Sequence, residues 1–174
     1  KKGNRKCEFA LREAELWGAA ASALAKFAYP LEQADSLWKA VLLNQFHDII
    51  PGSSIARVYV EAEALHADVI AKAGTIAGEA RLSMAKQERN AATVFNSLSW
   101  SRDGVVELPP NFKGAEDEDG QILQTQKHDG RVFALVGGVP SCGWRTVRNS
   151  AIVPPRHGGA ARATKNSLEN ELVK

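Results

Sequence analysis

One short segment carries side chains that could do chemistry, because it places an imidazole beside a carboxylate. His47 and Asp48 follow Asn44 and Gln45 at the end of an apolar run, just before a Pro-Gly pair. Imidazole is a good zinc ligand, and a carboxylate can accept hydrogen bonds from substrate hydroxyls. The simpler interpretation is that His47 caps the last carbonyls of a helix and interacts with its negative end. Spacing alone favours that helix-end role, because one histidine is not a metal site.

The other histidines offer no second set of metal ligands. His66 is predicted at a solvated or half-buried position on a helix, while His128 and His157 lie in loop-like sequence near glycine. No Cys-x-x-Cys pair, His-Glu-x-x-His helix, glycine-rich phosphate loop or Gly-x-Ser-x-Gly elbow occurs. The run PGSS at residues 51–54 resembles an anion-binding turn, and a serine helix cap explains it sufficiently.

Three helices are predicted to position the His-Asp pair, over residues 7–27, 31–47 and 54–86. Tyr29 and Pro30 end the first, since the residue before proline is pushed out of the helical region. Pro51 stops the second, and Ser53 or Ser54 is expected to cap the third.

The third predicted helix has the clearest periodicity. Its apolar residues follow steps of three and four and are Ile55, Val58, Ala62, Leu65, Val69, Ala73, Ile76 and Ala80. Such spacing is typical of a bundle seam, and the helix would be roughly 50 Å long at 1.5 Å per residue. Alanines in the seam permit close approach, and short connections favour an antiparallel three-helix bundle.

The character of the sequence changes near residues 87–92, from alanine and leucine to glycine, proline and β-branched residues. Strands are predicted over residues 93–95, 104–108, 121–126, 131–136 and 143–147. The acidic residues 115–120 are predicted to form a solvated loop, and residues 153–161 a further loop. We therefore predict an α+β chain, with a helical domain over residues 1–89 and part of a β-sandwich-like domain over residues 90–174.

Length, composition and charge limit the function classes. The chain has 174 residues, 44% of them hydrophobic and 24% charged, which is typical of a soluble globular protein of one or two domains. A formal charge of +2 is too small to indicate a nucleic-acid or membrane partner. No apolar run approaches the roughly 20 residues of a membrane helix. Cys7 and Cys142 are expected to be reduced thiols, with one bridge as the alternative.

The ends of the chain indicate a piece of a longer protein. It begins with Lys1 and has no initiator methionine, and residues 171–174 end inside a predicted strand. Any targeting signal is therefore expected to lie outside this sequence.

The run LLNQFHDIIPGSSI at residues 42–55 resembles the signature of glycoside hydrolase family 38 α-mannosidases, especially the branch of cytosolic, vacuolar and many bacterial enzymes. Further segments are similar to the same family in the same order, over residues 8–17, 94–106, 138–144 and 167–170. The resemblance implies a helical middle domain followed by the start of a C-terminal β region.

The resemblance also implies chemistry. Family members are retaining enzymes that hydrolyse terminal α-mannosidic bonds, with a divalent metal that is usually zinc and in some members cobalt. His47 would be the metal ligand from the middle domain, and Asp48 would hydrogen-bond the mannose. No segment here matches the nucleophile, the general acid or the other ligands, which implies that they lie in an upstream α/β domain. The chain alone is therefore expected to be inactive.

The implied partners are a mannose-containing oligosaccharide, the upstream α/β domain and the rest of the β domain, in the cytoplasm and without nucleic acid or membrane. Apolar surface exposed on the separate chain predicts association, so a homo-oligomer is expected. The alternative is a non-catalytic helical interaction module with a β appendage, in which His47 and Asp48 only end a helix. Composition and periodicity fit both interpretations.

Overall fold

The computed structural model describes residues 1–85, 88–153 and 162–169, and its chain forms two compact units. The helical unit contains residues 1–85 together with 97–99. The β unit contains the remaining described residues. The α+β class is confirmed, whereas the exact domain limits, 1–89 and 90–174, stay a prediction.

The helical unit is the predicted three-helix bundle with a long third helix. Its helices are α1 (Lys2–Leu24), α2 (Leu31–Asn44) and α3 (Ala56–Met84), and each packs against the other two. α1 begins five residues earlier than residue 7, and α2 ends three residues before residue 47. α1 ends at Leu24 because Ala25 adopts an extended conformation. Within the described residues, none of the helices combines the length and apolarity that a membrane crossing requires.

The bundle core lies along one face of each helix, where its largest fully buried side chains include Leu11, Trp17, Val41 and Val69. The indole N–H of Trp17 donates to Glu13 Oε2 at 2.8 Å, so this buried donor is satisfied. Burial of aromatic and branched side chains supplies most of the stability of such a bundle.

The predicted seam of α3 is largely correct. Ala62, Val69, Ala73, Ile76 and Ala80 are buried, and Val58 and Leu65 are half-buried. The expectation for Ile55 is wrong, because this residue precedes the helix in an extended conformation and its side chain is exposed. Apolar side chains in or next to α1 and α2 are also exposed, among them Phe9, Leu24, Leu42 and Phe46.

The β unit contains two three-stranded antiparallel sheets and a short pair. Its strands are β1 (Ala91–Asn96), β2 (Arg102–Leu108), β3 (Gly114–Glu116), β4 (Thr125–His128), β5 (Arg131–Val139), β6 (Gly143–Ser150), β7 (Arg162–Ala163) and β8 (Leu168–Glu169). The sheet orders are β1-β6-β3 and β2-β5-β4, and β7 pairs with β8. Side chains from both larger sheets share one core, in which Val147 and Ala115 join Val132, Ala134 and Val136. This arrangement agrees with the predicted sandwich-like character.

The segment 115–120 is only in part the expected solvated loop, because residues 118–120 are exposed and the residues before them are not. Ala115 is fully buried in β3, and Asp117 is also buried. The Asp117 carboxylate accepts the backbone N–H groups of Asp119 and Gln121, and Glu118 accepts that of Thr146. Asp117 thus satisfies backbone donors of the turn, and Glu118 satisfies a donor of β6. Charge alone does not predict either contact.

Some other expectations change or cannot be followed. The predicted strand 121–126 is replaced by β4 and by an isolated bridge at Ile122. Cys7 and Cys142 form no disulfide with each other, as expected. The expected loop at 154–161 and the predicted strand at 171–174 lie outside the described residues.

Candidate functional site

The His-Asp pair lies in an irregular segment between α2 and α3. α2 ends at Asn44, where the N–H of Gln45 still reaches the carbonyl oxygen of Leu42 at 3.0 Å. The N–H groups of Ile49 and Ile50 then both donate to the carbonyl of Phe46, at 2.9 and 3.0 Å. These bonds close a tight turn, and that turn presents the two residues that follow Phe46.

His47 and Asp48 both point to solvent in this turn. Their side chains are 78% and 63% exposed, and His47 Nε2 lies 3.5 Å from Asp48 Oδ2. The Phe46 ring lies 4.2 Å from the imidazole, centroid to centroid. Among the described bonds, the carbonyls of the last turn of α2 are reached by backbone N–H groups and by asparagine amides. None of these described bonds to the last carbonyls of α2 comes from the His47 imidazole.

Asn44 and Gln45 do not join the pair, although the sequence clusters all four residues. The buried amide of Asn44 donates to the carbonyl of Ala40 at 3.3 Å. The amide of Gln45 donates to Glu8 Oε1 on α1 at 2.9 Å. Both amides thus face the bundle, and the candidate site consists of His47 and Asp48 alone.

The expected serine cap of α3 is wrong. The hydroxyls of Ser53 and Ser54 donate to the carbonyl oxygen of Asp48, and α3 begins after Ile55 without a side-chain cap. The N–H of Ser54 donates instead to the Tyr59 hydroxyl at 2.7 Å. Gly52, with φ +101°, lies in the same turn, in a backbone conformation that favours glycine. Both serines thus contact the candidate site through the backbone carbonyl of Asp48.

The other histidines lie elsewhere in the two units. His66 is half-buried on α3, as expected, and its Nε2 lies 3.3 Å from Asn4 Oδ1. Burial lowers the pKa of His66. His128 ends strand β4 rather than lying in a loop. Its side chain is exposed, and its Nε2 lies 3.4 Å from Asp129 Oδ2. His157 lies outside the described residues. A His-Asp contact therefore occurs twice within the described part of the chain and does not by itself mark a metal site.

The donor set of the site fits one part of a zinc centre. His47 offers a solvent-facing imidazole nitrogen, but no three His, Cys, Asp or Glu side chains gather into a metal-binding group anywhere in the described residues. A catalytic zinc needs about three protein ligands. His47 can thus contribute to a metal site only if other ligands come from outside these residues.

A cavity of about 580 Å³ lies close to the site in the helical unit. It is bounded by the start of α1, by residues 49–52 and by α3, with Tyr59 and His66 in its wall. His47 and Asp48 are not among its lining residues. The exposed pair and the cavity are therefore separate features of the unit.

Sequence reasoning missed the side chains of α1 that contact the end of α2. Asn4 donates to the carbonyl of Asn44, and Glu8 accepts from Gln45. The predicted first helix began only at residue 7, so Asn4 lay outside it. The only local signal was that the polar residues Asn4 and Glu8 lie one helical turn apart. Apolar periodicity does not detect such a polar pair.

Comparison with known proteins identifies the helical part of the chain. The family model described as alpha mannosidase middle domain matches residues 1–84. These residues contain all three helices and the segment that carries His47 and Asp48.

Curated relatives extend the similarity beyond the helices. The chain is 39% identical to Alpha-mannosidase 2C1 of Homo sapiens over 112 residues, which is 63% of this chain. It is 32% identical to Alpha-mannosidase of Saccharomyces cerevisiae over 118 residues, which is 66% of this chain. Because each match covers 11% of the relative, the chain spans about a tenth of the length of these proteins.

Proposed function

We propose that this chain is a segment of a family 38 α-mannosidase and that its full-length protein is a retaining, metal-dependent α-mannosidase, which the match of residues 1–84 to the alpha mannosidase middle domain supports. The substrate would be the terminal α-mannose of oligosaccharides or glycoproteins. The observation that carries this proposal is the exposed His47-Asp48 pair, which the turn after α2 presents to solvent within the matched domain. The names of the relatives support an enzyme over a non-catalytic helical module.

His47 would act as one metal ligand. Its imidazole is exposed, so coordination requires no rearrangement of the bundle core. The metal, zinc or in some family members cobalt, would supply Lewis acidity and electrostatic stabilisation at the sugar hydroxyls. The remaining ligands would come from the upstream domain, because one imidazole cannot hold a metal ion usefully.

Asp48 would bind and orient the sugar. An exposed, ionised carboxylate accepts hydrogen bonds from two hydroxyls, and the backbone of this residue is held by the Ser53 and Ser54 hydroxyls. Asp48 would not be the nucleophile. Retaining hydrolysis needs two carboxyl groups about 5 Å apart on either side of the scissile bond, and we place both upstream of this chain.

The segment alone is proposed to be inactive. It would need the upstream α/β domain, which supplies the nucleophile, the general acid and most metal ligands, and the rest of the β domain. The oligosaccharide is the proposed substrate partner. The cytoplasmic location expected from the family branch stays a prediction.

The test uses the full-length enzyme and its His47→Ala variant, with metal content and aryl α-mannoside hydrolysis as readouts. We expect the parent to bind about one metal ion and to cleave the substrate. A residue that only hydrogen-bonds a metal ligand typically contributes roughly 10–100-fold to metal affinity. Removal of the ligand itself should therefore reduce the affinity by more than this. Hydrolysis should fall with metal occupancy.

The matched control is His128→Ala. His128 is also an exposed histidine beside an aspartate, with 3.4 Å between Nε2 and Oδ2 of Asp129, so the two variants differ in place rather than in chemistry. The control should keep its metal and its activity. If His47→Ala keeps both as well, His47 is not a ligand and the helix-end interpretation replaces this proposal.

A further inference from the structure

Two side chains on one face of α1 contact the last turn of α2. Asn4 Nδ2 donates to the carbonyl oxygen of Asn44 at 3.3 Å, and Glu8 Oε1 accepts from Gln45 Nε2 at 2.9 Å. Asn4 and Glu8 are four residues apart, which places them one above the other on the helix. α1 therefore contacts Asn44, the last residue of α2, and Gln45, the residue that follows it.

Asn4 is held from its other side by α3. Asn4 Oδ1 lies 3.3 Å from His66 Nε2. A carbonyl oxygen can only accept, so the Asn4 amide nitrogen faces Asn44 and its oxygen faces the imidazole, whose Nε2 then carries the hydrogen. Gly3 leaves room for this contact, since a side chain there would collide with the His66 ring. Asn4 thus connects all three helices and cannot turn over without losing a bond.

Asn4 and Asn44 are each only 4% exposed, so their polar atoms have little access to water. A buried polar group that loses its partner keeps its desolvation cost. Replacing Asn4 would therefore leave both the Asn44 carbonyl and the His66 imidazole without their partner. Loss of this contact should therefore destabilise the end of α2 more than loss of a typical surface hydrogen bond.

The backbone after α2 is what places His47. The imidazole is 78% exposed and the neighbouring Phe46 is 53% exposed, so side-chain packing contributes little to its position. His47 is only three residues beyond Asn44 and two beyond Gln45. A displacement at the end of α2 would therefore be passed directly to the imidazole.

We propose that Asn4 and Glu8 are positioning residues that hold the end of α2 and so fix the place of the His47 imidazole. This inference rests on the proposed role of His47 as a metal ligand. Groups that orient a ligand without touching the metal typically contribute 10–100-fold to metal affinity. Asn4 and Glu8 would act at this level, through the backbone of the segment that carries the ligand.

The experiment measures metal affinity by chelator competition in the full-length enzyme. Asn4→Ala and Glu8→Ala should each weaken metal binding by roughly 10–100-fold. Glu8→Gln should remain near the parent value, because its carbonyl oxygen can still accept from Gln45. Amide hydrogen exchange of residues 45–50 in the metal-free enzyme is the second readout, and both alanine variants should exchange faster there.

Two controls separate positioning from general destabilisation. Arg5→Ala removes the exposed ion pair of Arg5 with Glu8 Oε2 but leaves Glu8 Oε1 and its bond to Gln45. Ile76→Val trims a buried side chain of α3 far along the helix from His66, so it should lower the melting temperature. Both controls should keep the parent metal affinity and the parent exchange of residues 45–50.

The outcomes against the proposal are distinct. If Asn4→Ala and Glu8→Ala melt earlier but bind metal as the parent does, the two residues are structural only and the proposal is overturned, whatever the exchange data show. If His47→Ala keeps its metal, the ligand role itself fails and the positioning role falls with it. Because that variant is assayed separately, the two failures can be told apart.

Discussion

At the residue scale, the polar side chains of the bundle divide into two groups with different consequences. His47 and Asp48 face solvent, so their replacement should change binding and leave the stability of the bundle nearly unchanged. Asn4 and His66 connect helices, so their replacement should change stability as well. Burial also lowers the pKa of His66, and this leads to a pH dependence of stability.

Stability of the helical unit should fall as the pH is lowered below the ordinary histidine pKa of 6.5. Burial lowers the pKa of His66 in the folded chain, while nearby Glu63 acts in the opposite direction. The unfolded chain therefore takes up the proton first, so protonation favours unfolding until the folded pKa is passed. Thermal melting between pH 7.5 and 5 should show this loss, and His66→Gln should reduce it.

His128→Gln is the comparison for that prediction, because His128 is an exposed histidine on a strand edge. It should keep the pH dependence of the parent chain. Equal pH dependence of His66→Gln and the parent would show that the pKa of His66 is the same in the folded and the unfolded chain.

At the element scale, the alanine seam of α3 sets how closely the helices approach. Ala73 is fully buried, whereas Ala71 two residues earlier is exposed. Ala73→Leu should destabilise the chain by about 1–3 kcal/mol, because extra methylenes in a packed interface force side chains and backbone to shift. Ala71→Leu should change stability by less than about 0.5 kcal/mol. Urea unfolding measures both, and equal effects would contradict the close packing of this seam.

The elements differ in how far the sequence alone predicted them. α3 was predicted within two residues at each end, because its apolar period is long and regular. The start of α1 and the cap of α3 were not predicted correctly, since Asn4 and the Ser54 hydroxyl take partners that local patterns do not show. The strand and the buried Asp117 within residues 115–120 were missed for the same reason, because the Asp117 carboxylate takes backbone partners that local patterns do not show.

The candidate site followed the same division. His47 and Asp48 were proposed from residue type and from the run that surrounds them, which are local signals. Their supports on α1 depend on contacts about 40 positions apart in sequence, between Asn4 and Asn44 and between Glu8 and Gln45. Apolar periodicity predicts which helices pack, but it does not predict which polar atoms meet at their ends.

At the scale of the whole molecule, a cluster of exposed apolar side chains should govern how the separate chain behaves. Leu42, Leu43 and Phe46 at the end of α2 are 58%, 65% and 53% exposed, and we call them the α2-end apolar group. Covering each leucine would contribute less than the value of about 1.5–3 kcal/mol for a fully exposed leucine, because part of each side chain is already buried. Apolar side chains exposed together at one helix end promote association, so the separate chain should self-associate.

Leu43→Glu should shift the separate chain towards monomer in sedimentation velocity across a wide concentration range. A charge at the centre of the α2-end apolar group would have to be desolvated in any contact that covers it, which is costly. Leu82→Glu is the matched control, because Leu82 is a 63% exposed leucine on α3, far along the sequence from this group. It should leave the association unchanged. A parent chain that sediments as a clean monomer at every concentration would contradict the prediction, and equal effects of both variants would assign the association to net charge rather than to this surface.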